Sequence, residues 1–448
     1  MSDRVDATAI LLAAGLGTRM RSHLPKALHA LAGRPMLRHL IDAAEAVFQR
    51  VVVVVGPGME ALEAVAAPHP VVVQHDRLGT AHAALQAAGL FGHGDVAVLY
   101  ADNPLVTVET LRRLVARRAG PGTDLALLAM RPADPARYGR LITEPDGEGG
   151  ERVLRIVEWA EADAAERAIG LCNAGVLCAE AERFAGWLRR VENNNAKGEF
   201  YLTDVVALAA ADGARVRHVE APEEELRGVN SKAELAEAEA VIQRRLRRAA
   251  MEAGVTLLAP DTVFLQADTV IGADTVVHPN VVFGPNVVVG SGAEIRSFSH
   301  LEGAVVGDRA LVGPFARLRP GADVGASAHV GNFVELKNAT LGEGAKANHF
   351  TYLGDASVGA RTNIGAGTIT CNYDGVNKHR TVLGADVFIG SNATLVAPVT
   401  IGDRAFVAAG STITDPVGEN DLAFGRARQA NKAGGAEALR ARIKQGKN

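Results

Sequence analysis

The stretch Ile271-Gly272-Ala273-Asp274-Thr275-Val276-Val277-His278-Pro279-Asn280-Val281-Val282-Phe283-Gly284 decides the architecture of this chain: a large apolar residue opens every six-residue line, and glycine often follows it. Val289, Ile295 and Leu301 fill the same slot. After a five-residue line the register resumes at Val306, Val312, Leu318, Val324, Val330 and Leu336, and after further short lines at Leu341, Ala347, Leu353, Val358, Ile364 and Thr370. Beyond an insertion it runs through Leu383, Ile389, Leu395, Ile401, Val407 and Ile413. A Gly/Val-rich β-sandwich would alternate with period two and break into strands of uneven length. A six-residue period held this long spells a solenoid. Each hexad is one short strand plus a corner, so three make one coil of a triangular prism and the opening aliphatics stack inside it. Such a ladder supplies a core without aromatics, which form only 4% of the chain.

Coils of this kind lie about 4.8 Å apart, so residues three lines apart stand one above the other. Arg319 and Lys337 share the second slot at that separation. Like charges stacked on neighbouring strands repel, so an anion is expected to bridge them. The adjacent column holds Arg317, Glu335 and Tyr352, and His349 lies on the face leading to it. Asn372 and Tyr373 follow one coil later, where extra residues from Cys371 to Val382 must leave the prism as a loop. The alternative is that the cations simply splay into water; a base, a carboxylate, two cations and a loop converging on one edge favour a binding site.

The runs Gly313-Pro314-Phe315-Ala316-Arg317-Leu318-Arg319-Pro320-Gly321, His329-Val330-Gly331-Asn332-Phe333-Val334-Glu335-Leu336-Lys337 and Asn363-Ile364-Gly365-Ala366-Gly367-Thr368-Ile369-Thr370-Cys371-Asn372-Tyr373-Asp374-Gly375 resemble the left-handed β-helix acyltransferases of the hexapeptide-repeat family. In particular they resemble the acetyltransferase half of the bifunctional family that makes UDP-N-acetylglucosamine. The resemblance implies that glucosamine 1-phosphate sits on Arg319, Lys337, Tyr352 and Asn363, with Asn372 near the sugar. It implies acetyl-CoA contacts at Ala366, Asn372, Tyr373, Ser391, Ala409 and Arg426, and support from Glu335 and Lys378. Amine attack on a thioester needs a free lone pair, hence a base, and imidazole titrates near pH 6.5. His349 is that base in this reading, with Glu335 orienting it. The family works as a homotrimer with acetyltransferase sites shared between subunits, and the loop around Tyr373 and Lys378 is expected to reach across.

The N-terminal half must support this independently. Residues 7–14 read as a buried strand followed by the turn Gly15-Leu16-Gly17-Thr18-Arg19-Met20. Apolar runs Val51–Val55, Val71–Val73, Asp95–Tyr100 and Leu125–Met130 then alternate with helix-like segments at 36–49 and 80–90. That alternation predicts a mainly parallel, Rossmann-like α/β sheet, with ligands at the carboxyl ends of its strands. A dinucleotide fingerprint does not fit, because Arg19 falls where a third small residue is needed. A Gly-rich loop after a strand still offers backbone N–H groups to phosphate. With Leu24-Pro25-Lys26-Ala27-Leu28-His29, the segment resembles the signature of sugar-1-phosphate nucleotidylyltransferases. Carried over residue by residue, Leu12, Ala13, Ala14, Gly15, Arg19 and Lys26 would hold UTP. Gln74, Gly79 and Thr80 would read the uracil edge, and Asp102 with Asn230 would hold Mg²⁺. Gly139, Glu158 and Asn173 would meet the sugar. Read alone, Asp102 is an ordinary turn residue and Asn230 a helix N-cap. The Asn193-Asn194-Asn195 run also looks family-specific. Two departures stand out: Ala101 where the family usually has Gly, and Trp159-Ala160-Glu161-Ala162 where it commonly has a basic residue with Asp.

The expected organisation is an uridylyltransferase domain over 1–230, a linker helix over 231–253 with no Gly or Pro before its end, and a β-helix domain with a basic tail over 254–448. A net charge of −4 with mixed signs leaves no footprint for nucleic acid or membrane. An acidic start, short apolar runs and three cysteines without framework or metal-ligand spacing point to a reduced, cytoplasmic protein. The family resemblance then implies UTP and acetyl-CoA as co-substrates and a product that feeds peptidoglycan and lipopolysaccharide. Two other readings compete. A single-function nucleotidylyltransferase would use its β-helix only to assemble, and a regulatory scaffold would have no reason to keep Arg19, Lys26 and Asp102.

Overall fold

The computed structural model describes residues 4–135, 138–146 and 150–445, and the chain divides into two compact units, Met1–Arg245 and Leu246–Asn448. The first is built on one sheet in the order Val216–Glu220, Leu125–Met130, Cys172–Glu180, Asp95–Tyr100, Val5–Leu12, Phe48–Val55, Val71–Val73. Most neighbours are parallel; Cys172–Glu180 runs antiparallel to both of its neighbours. A hairpin, Arg140–Pro145 with Glu151–Val157, hangs from Cys172–Glu180. Side chains alternate along each strand, so Ala9, Leu11, Val53 and Leu99 enter one apolar layer while Ile10, Leu12, Val54 and Val98 enter the other. Both faces are therefore buried, which is why these strands read as unbroken apolar runs.

The helix expected over 36–49 stops at Met36–Glu45. Phe48 already pairs with Val5, and the β-branched run behind it belongs to the sheet. Likewise only Thr80–Gln86 of the second expected helix is α-helical. The long helix is Lys232–Glu252. Ser231 caps it, its Oγ accepting from the Glu234 N–H at 3.2 Å, while Glu234 accepts from the Asn230 N–H at 2.6 Å. The Asn230 side chain is thereby released from capping.

The second unit is a left-handed parallel β-helix, and its coils pair at the predicted intervals. Val270 stands beside Val288, eighteen residues on, Val288 beside Val305 after a short line, and Asn363 beside Phe388 across the insertion. The expected ladder is buried from Val277 to Ile413. A second inward slot, two residues earlier, is filled by small residues such as Ala293, Ala310, Ala328, Ala345 and Ala405. The corners turn through left-handed backbone, at Asp274, Asn280, Phe298, Phe315, Phe333, Phe350 and Arg361 among others. Glycine in the slot after the ladder residue has a steric cause. A Cβ on Gly325 would lie 2.7 Å from the Glu343 nitrogen of the next coil. The prism begins earlier than the sequence pattern suggested, at Thr256–Leu257, and ends at Leu422–Ala423. The helix Gly435–Gln445 follows, with no buried residue.

Candidate active sites

In the first unit the chain leaves Val5–Leu12 through a turn in which Gly17 takes φ 63°. A Cβ there would lie 2.6 Å from that of Lys26, so this glycine admits the lysine. The Lys26 Nζ donates to Asp102 Oδ2 at 2.5 Å and to Asn230 Oδ1 at 3.1 Å, and Arg19 Nη2 donates to the same Asn230 oxygen at 2.8 Å. Four residues from three separate segments thus meet. Two bonds tie these segments: the Val229 N–H donates to Asp102 O at 2.8 Å, and the Asn103 side-chain Nδ2 donates to Leu226 O at 2.9 Å.

Beside this cluster a cavity of about 290 Å³ is lined by Leu12, Ala13, Ala14, Gly15, Lys26, Gln74, Gly79, Thr80 and Asp102, and also by Arg77, Tyr100 and Glu199. Gln74 Nε2 donates to Gly79 O at 3.1 Å. Sequence reasoning missed Arg77, although it lies between the two quoted segments; its Nε donates to Ala14 O at 2.9 Å and braces the turn. The Asn run is accounted for by Asn195, whose Oδ1 accepts from the N–H groups of Lys197 and Glu199 and shapes the segment that docks on 78–81. There Phe200 N–H donates to Leu78 O at 2.8 Å, and Leu202 N–H donates to Thr80 Oγ1 at 3.0 Å.

The three residues expected at the sugar are also together. The Asn173 N–H donates to Gly139 O at 2.8 Å. A Cβ on Gly139 would lie 3.6 Å from the Glu158 carboxylate. Burial pushes that carboxyl above its ordinary range against the opposing hydrogen bond from Thr203, at 3.1 Å. Tyr100, which lines the cavity, has its ring where a side chain on Gly175 would be, so Asn173-Ala174-Gly175 needs its glycine.

On the prism, Arg317, Glu335 and Tyr352 form the expected column, and Leu318 pairs with Leu336, which sets Arg319 beneath Lys337. The side chains depart from expectation. Arg319 Nη1 turns to Glu335 Oε1 at 2.8 Å, so Glu335 is engaged by a guanidinium rather than orienting His349. The imidazole meets Asn332 instead: His349 Nδ1 lies 2.7 Å from Asn332 Oδ1. An amide oxygen can only accept, so Nδ1 is the donor here, and in the neutral ring Nε2 is the nitrogen that carries the lone pair. Lys337 faces Lys378, and that like charge, more than Arg319, lowers its ammonium pKa. Asp355 supports the pair. Burial opposes its ionisation, but hydrogen bonds from Asn338 and Asn372 and the charges of Lys337 and Lys378 outweigh this and hold it below its usual range. Asn372 thus belongs to this cluster. The loop forms a hairpin of its own: Tyr373 bridges to Lys378, Asp374, held at about 2 chiefly by the Asn377 N–H, also accepts from His379, and Tyr373 and Val376 stand exposed. Tyr352 lies over Gly354, whose added Cβ would meet its hydroxyl at 2.3 Å.

A further alignment was not foreseen. Asn332 and His349 are paired, the Gly367 N–H donates to His349 O, the Asn392 N–H donates to Ala366 O, and the Gly410 N–H donates to Ser391 O. His349, Ala366, Ser391 and Ala409 therefore occupy one corner column, and Arg426 reaches its end, with Cδ 3.7 Å from a Cβ placed on Gly410. This column and the Lys337 column bound one face, five residues wide between His349 and Gly354, instead of sharing one edge. Asn363 lies beside Lys346 and Phe388, on a different face from Tyr352. The His349 corner also carries Phe298, Phe315, Phe333 and Phe350, about half exposed and stacked at 4.9, 5.2 and 5.2 Å between centroids.

Comparison with known proteins agrees with both halves. Residues 9–154 match the MobA-like NTP transferase domain, and 268–303 and 380–415 match the bacterial transferase hexapeptide family of six repeats. The chain is similar to the "Bifunctional protein GlmU" of Gluconacetobacter diazotrophicus, with 66% identity across 98% of this chain and 95% of that one. It is 62% identical to the protein of the same description from Granulibacter bethesdensis, across 98% and 97%, and 62% identical to that of Gluconobacter oxydans, across 98% of each.

Proposed function

The chain belongs to the family of bifunctional GlmU proteins, and on that premise we propose how one polypeptide carries its two transfers. It is an acetyltransferase, moving acetyl from acetyl-CoA to glucosamine 1-phosphate, and a uridylyltransferase, joining UTP to the resulting N-acetylglucosamine 1-phosphate with release of pyrophosphate. The product, UDP-N-acetylglucosamine, serves cell-wall synthesis.

In the acetyl transfer His349 Nε2 takes a proton from the sugar's amine as its nitrogen attacks the thioester carbonyl. The C–S bond breaks, and CoA leaves as the thiolate or, with that proton, the thiol. Asn332 fixes the ring tautomer. The small residues Ala366, Ser391 and Ala409 leave a groove above His349 along which the acetyl donor lies, with Arg426 at its phosphate end. Lys337 and Lys378 receive the sugar phosphate, which relieves the repulsion between them; Arg319, Tyr352 and Tyr373 complete the contacts of this prism, and Asn363, on another face, would serve a site shared with a neighbouring subunit. The exposed Phe298–Phe350 column beside His349 supports assembly into a homotrimer that shares these sites, since an apolar strip of this kind is suited to burial against another subunit.

In the uridylyl transfer the turn at Ala13–Gly15 receives the phosphates, Gln74 with Gly79 and Thr80 reads the base, and Gly139, Glu158 and Asn173 hold the sugar. Arg19 and Lys26 neutralise charge on the triphosphate as the sugar phosphate attacks, without a covalent enzyme intermediate. Mg²⁺ fits the first site. The Lys26 ammonium already lies between the Asp102 and Asn230 oxygens, hard donors of the type such an ion takes alongside substrate phosphates. Asp102 and Asn230 would hold it, and it would supply charge neutralisation to the pyrophosphate leaving group. Among the described residues no helix is long and apolar enough to cross a membrane, and the water-soluble co-substrates support a cytoplasmic setting.

The observation that carries the reading is the single column of His349, Ala366, Ser391 and Ala409, assembled from four separate coils. The test follows CoA release from acetyl-CoA plus glucosamine 1-phosphate, and separately pyrophosphate release from UTP plus N-acetylglucosamine 1-phosphate. Both are expected; a chain that releases pyrophosphate but no CoA would make the prism an assembly device only.

A further inference from the structure

Directly after Glu158, the glutamate assigned to the sugar, this chain runs Trp159-Ala160-Glu161-Ala162. The structure shows what the tryptophan meets. The guanidinium carbons of Arg167 and Arg140 lie 4.6 and 5.3 Å from the centroid of its ring, within the range of cation–π attraction. Arg140 is almost wholly buried. Its Nη1 donates to the carbonyls of Tyr138 and Pro135, the latter at 3.3 Å, and its Nε and Nη2 both reach Arg167 O at 3.4 Å. Arg167 Nη2 in turn donates to Trp159 O at 3.3 Å. The ring, two guanidinium groups and four backbone carbonyls thus form one connected set.

This set stands directly behind the sugar contacts. Arg140 follows Gly139, whose carbonyl is bonded to Asn173 and whose Cα faces Glu158; Trp159 follows Glu158. A buried guanidinium satisfied by carbonyl oxygens is costly to rearrange, and the indole is the flat surface on which both arginines rest. The short helix Ala164–Arg167 that delivers Arg167 is itself held by a capping box between Asp163 and Glu166. We propose that Trp159 is a positioning residue for uridylyl transfer: through Arg140 and Arg167 it fixes Gly139 and Glu158 against each other and so sets affinity for the sugar 1-phosphate. This rests on the assignment of Gly139, Glu158 and Asn173 to the sugar.

The test compares wild type, Trp159→Ala and Trp159→Phe in pyrophosphate release, varying N-acetylglucosamine 1-phosphate and UTP separately, with CoA release as a control from the other unit. Trp159→Ala is expected to raise KM for the sugar phosphate about tenfold while KM for UTP and CoA release stay within about twofold; Trp159→Phe, which keeps an aromatic face, is expected to recover most of the loss. Equal changes in both KM values, or none, would overturn the proposal. Should Trp159→Ala fail to fold, the Trp187→Phe variant leaves Trp159 as the sole tryptophan. Its emission should then shift on adding N-acetylglucosamine 1-phosphate, and an unmoved spectrum at saturation would also overturn it. Absence of pyrophosphate release by wild type would instead defeat the reading of the site itself.

Discussion

The two sites handle charge in opposite ways. In the first unit the cation Lys26 is already paired with Asp102 and Asn230, and Arg19 completes the cluster; a carboxylate is present before any ligand arrives. On the prism Lys337 faces Lys378, a like charge at an exposed corner, and Asp355 stands by with both oxygens engaged by amides. The α/β unit can bury and balance its charges because its sheet has two covered faces. The β-helix fills its interior with apolar side chains, so its charged groups stand outside, and in the proposed reading the sugar phosphate would relieve the repulsion between the lysines. On this reading the first site would exchange partners when it binds, and the second would acquire them.

The strongest way to break this comparison is to remove the groups that each site cannot replace. His349→Ala is expected to lower CoA release by about 10²–10⁴-fold, the usual worth of a general base, with pyrophosphate release unchanged. Asp102→Asn should cost pyrophosphate release roughly 10²–10³-fold, comparable to removing one preorganised electrostatic contact, and spare CoA release. A loss of both activities in either variant would show the sites to be coupled.

The charge contrast itself is sharpened by Lys337→Ala. A charge-assisted phosphate contact should be lost, raising KM for glucosamine 1-phosphate roughly tenfold, and the penalty should shrink as salt is added. The Lys378 charge lowers the Lys337 ammonium below the ordinary lysine range. Rising pH therefore removes this cation earlier than free lysine, and KM for the sugar phosphate should climb on the alkaline side sooner than in Lys378→Ala.

How much of this was legible follows from what sequence can encode locally. The ladder could be read because each hexad repeats one demand, an apolar side chain facing inward, and its count carried Arg317, Glu335 and Tyr352 into one column. Asn332 could not be assigned to His349, since that bond depends on which rotamers meet across coils. For the same reason Glu335 was given to the histidine when a neighbouring guanidinium holds it. The position of Lys378 against Lys337 depends on the hairpin formed from Asn372 to His379, which no period specifies. In the first unit the glycine turn could be read, while Arg77, whose contact spans 63 residues to Ala14, and the Trp159 set, which depends on how a hairpin and a short helix pack side chains together, could not.

The smallest expected effect concerns the first unit's unused acid. Burial, with Glu161 and Glu158 nearby, pushes Asp204 up to about 6. The folded chain therefore holds this proton more tightly than the unfolded one, and the stability it contributes is present at low pH and lost as pH rises through about 6. Asp204→Asn should raise the first unit's melting midpoint at neutral pH by about 2–4 °C, as about 1 kcal/mol does for a unit of this size, and flatten its dependence between roughly pH 4 and 6.

The account's central claim, two separable sites on one chain, is tested most directly by mixing His349→Ala with Asp102→Asn protein in the presence of glucosamine 1-phosphate, acetyl-CoA, UTP and Mg²⁺, and measuring UDP-N-acetylglucosamine. Each variant alone should make almost none, and the mixture should make it readily, since one protein supplies the acetylated sugar phosphate that the other consumes. A mixture as silent as its components would contradict the claim.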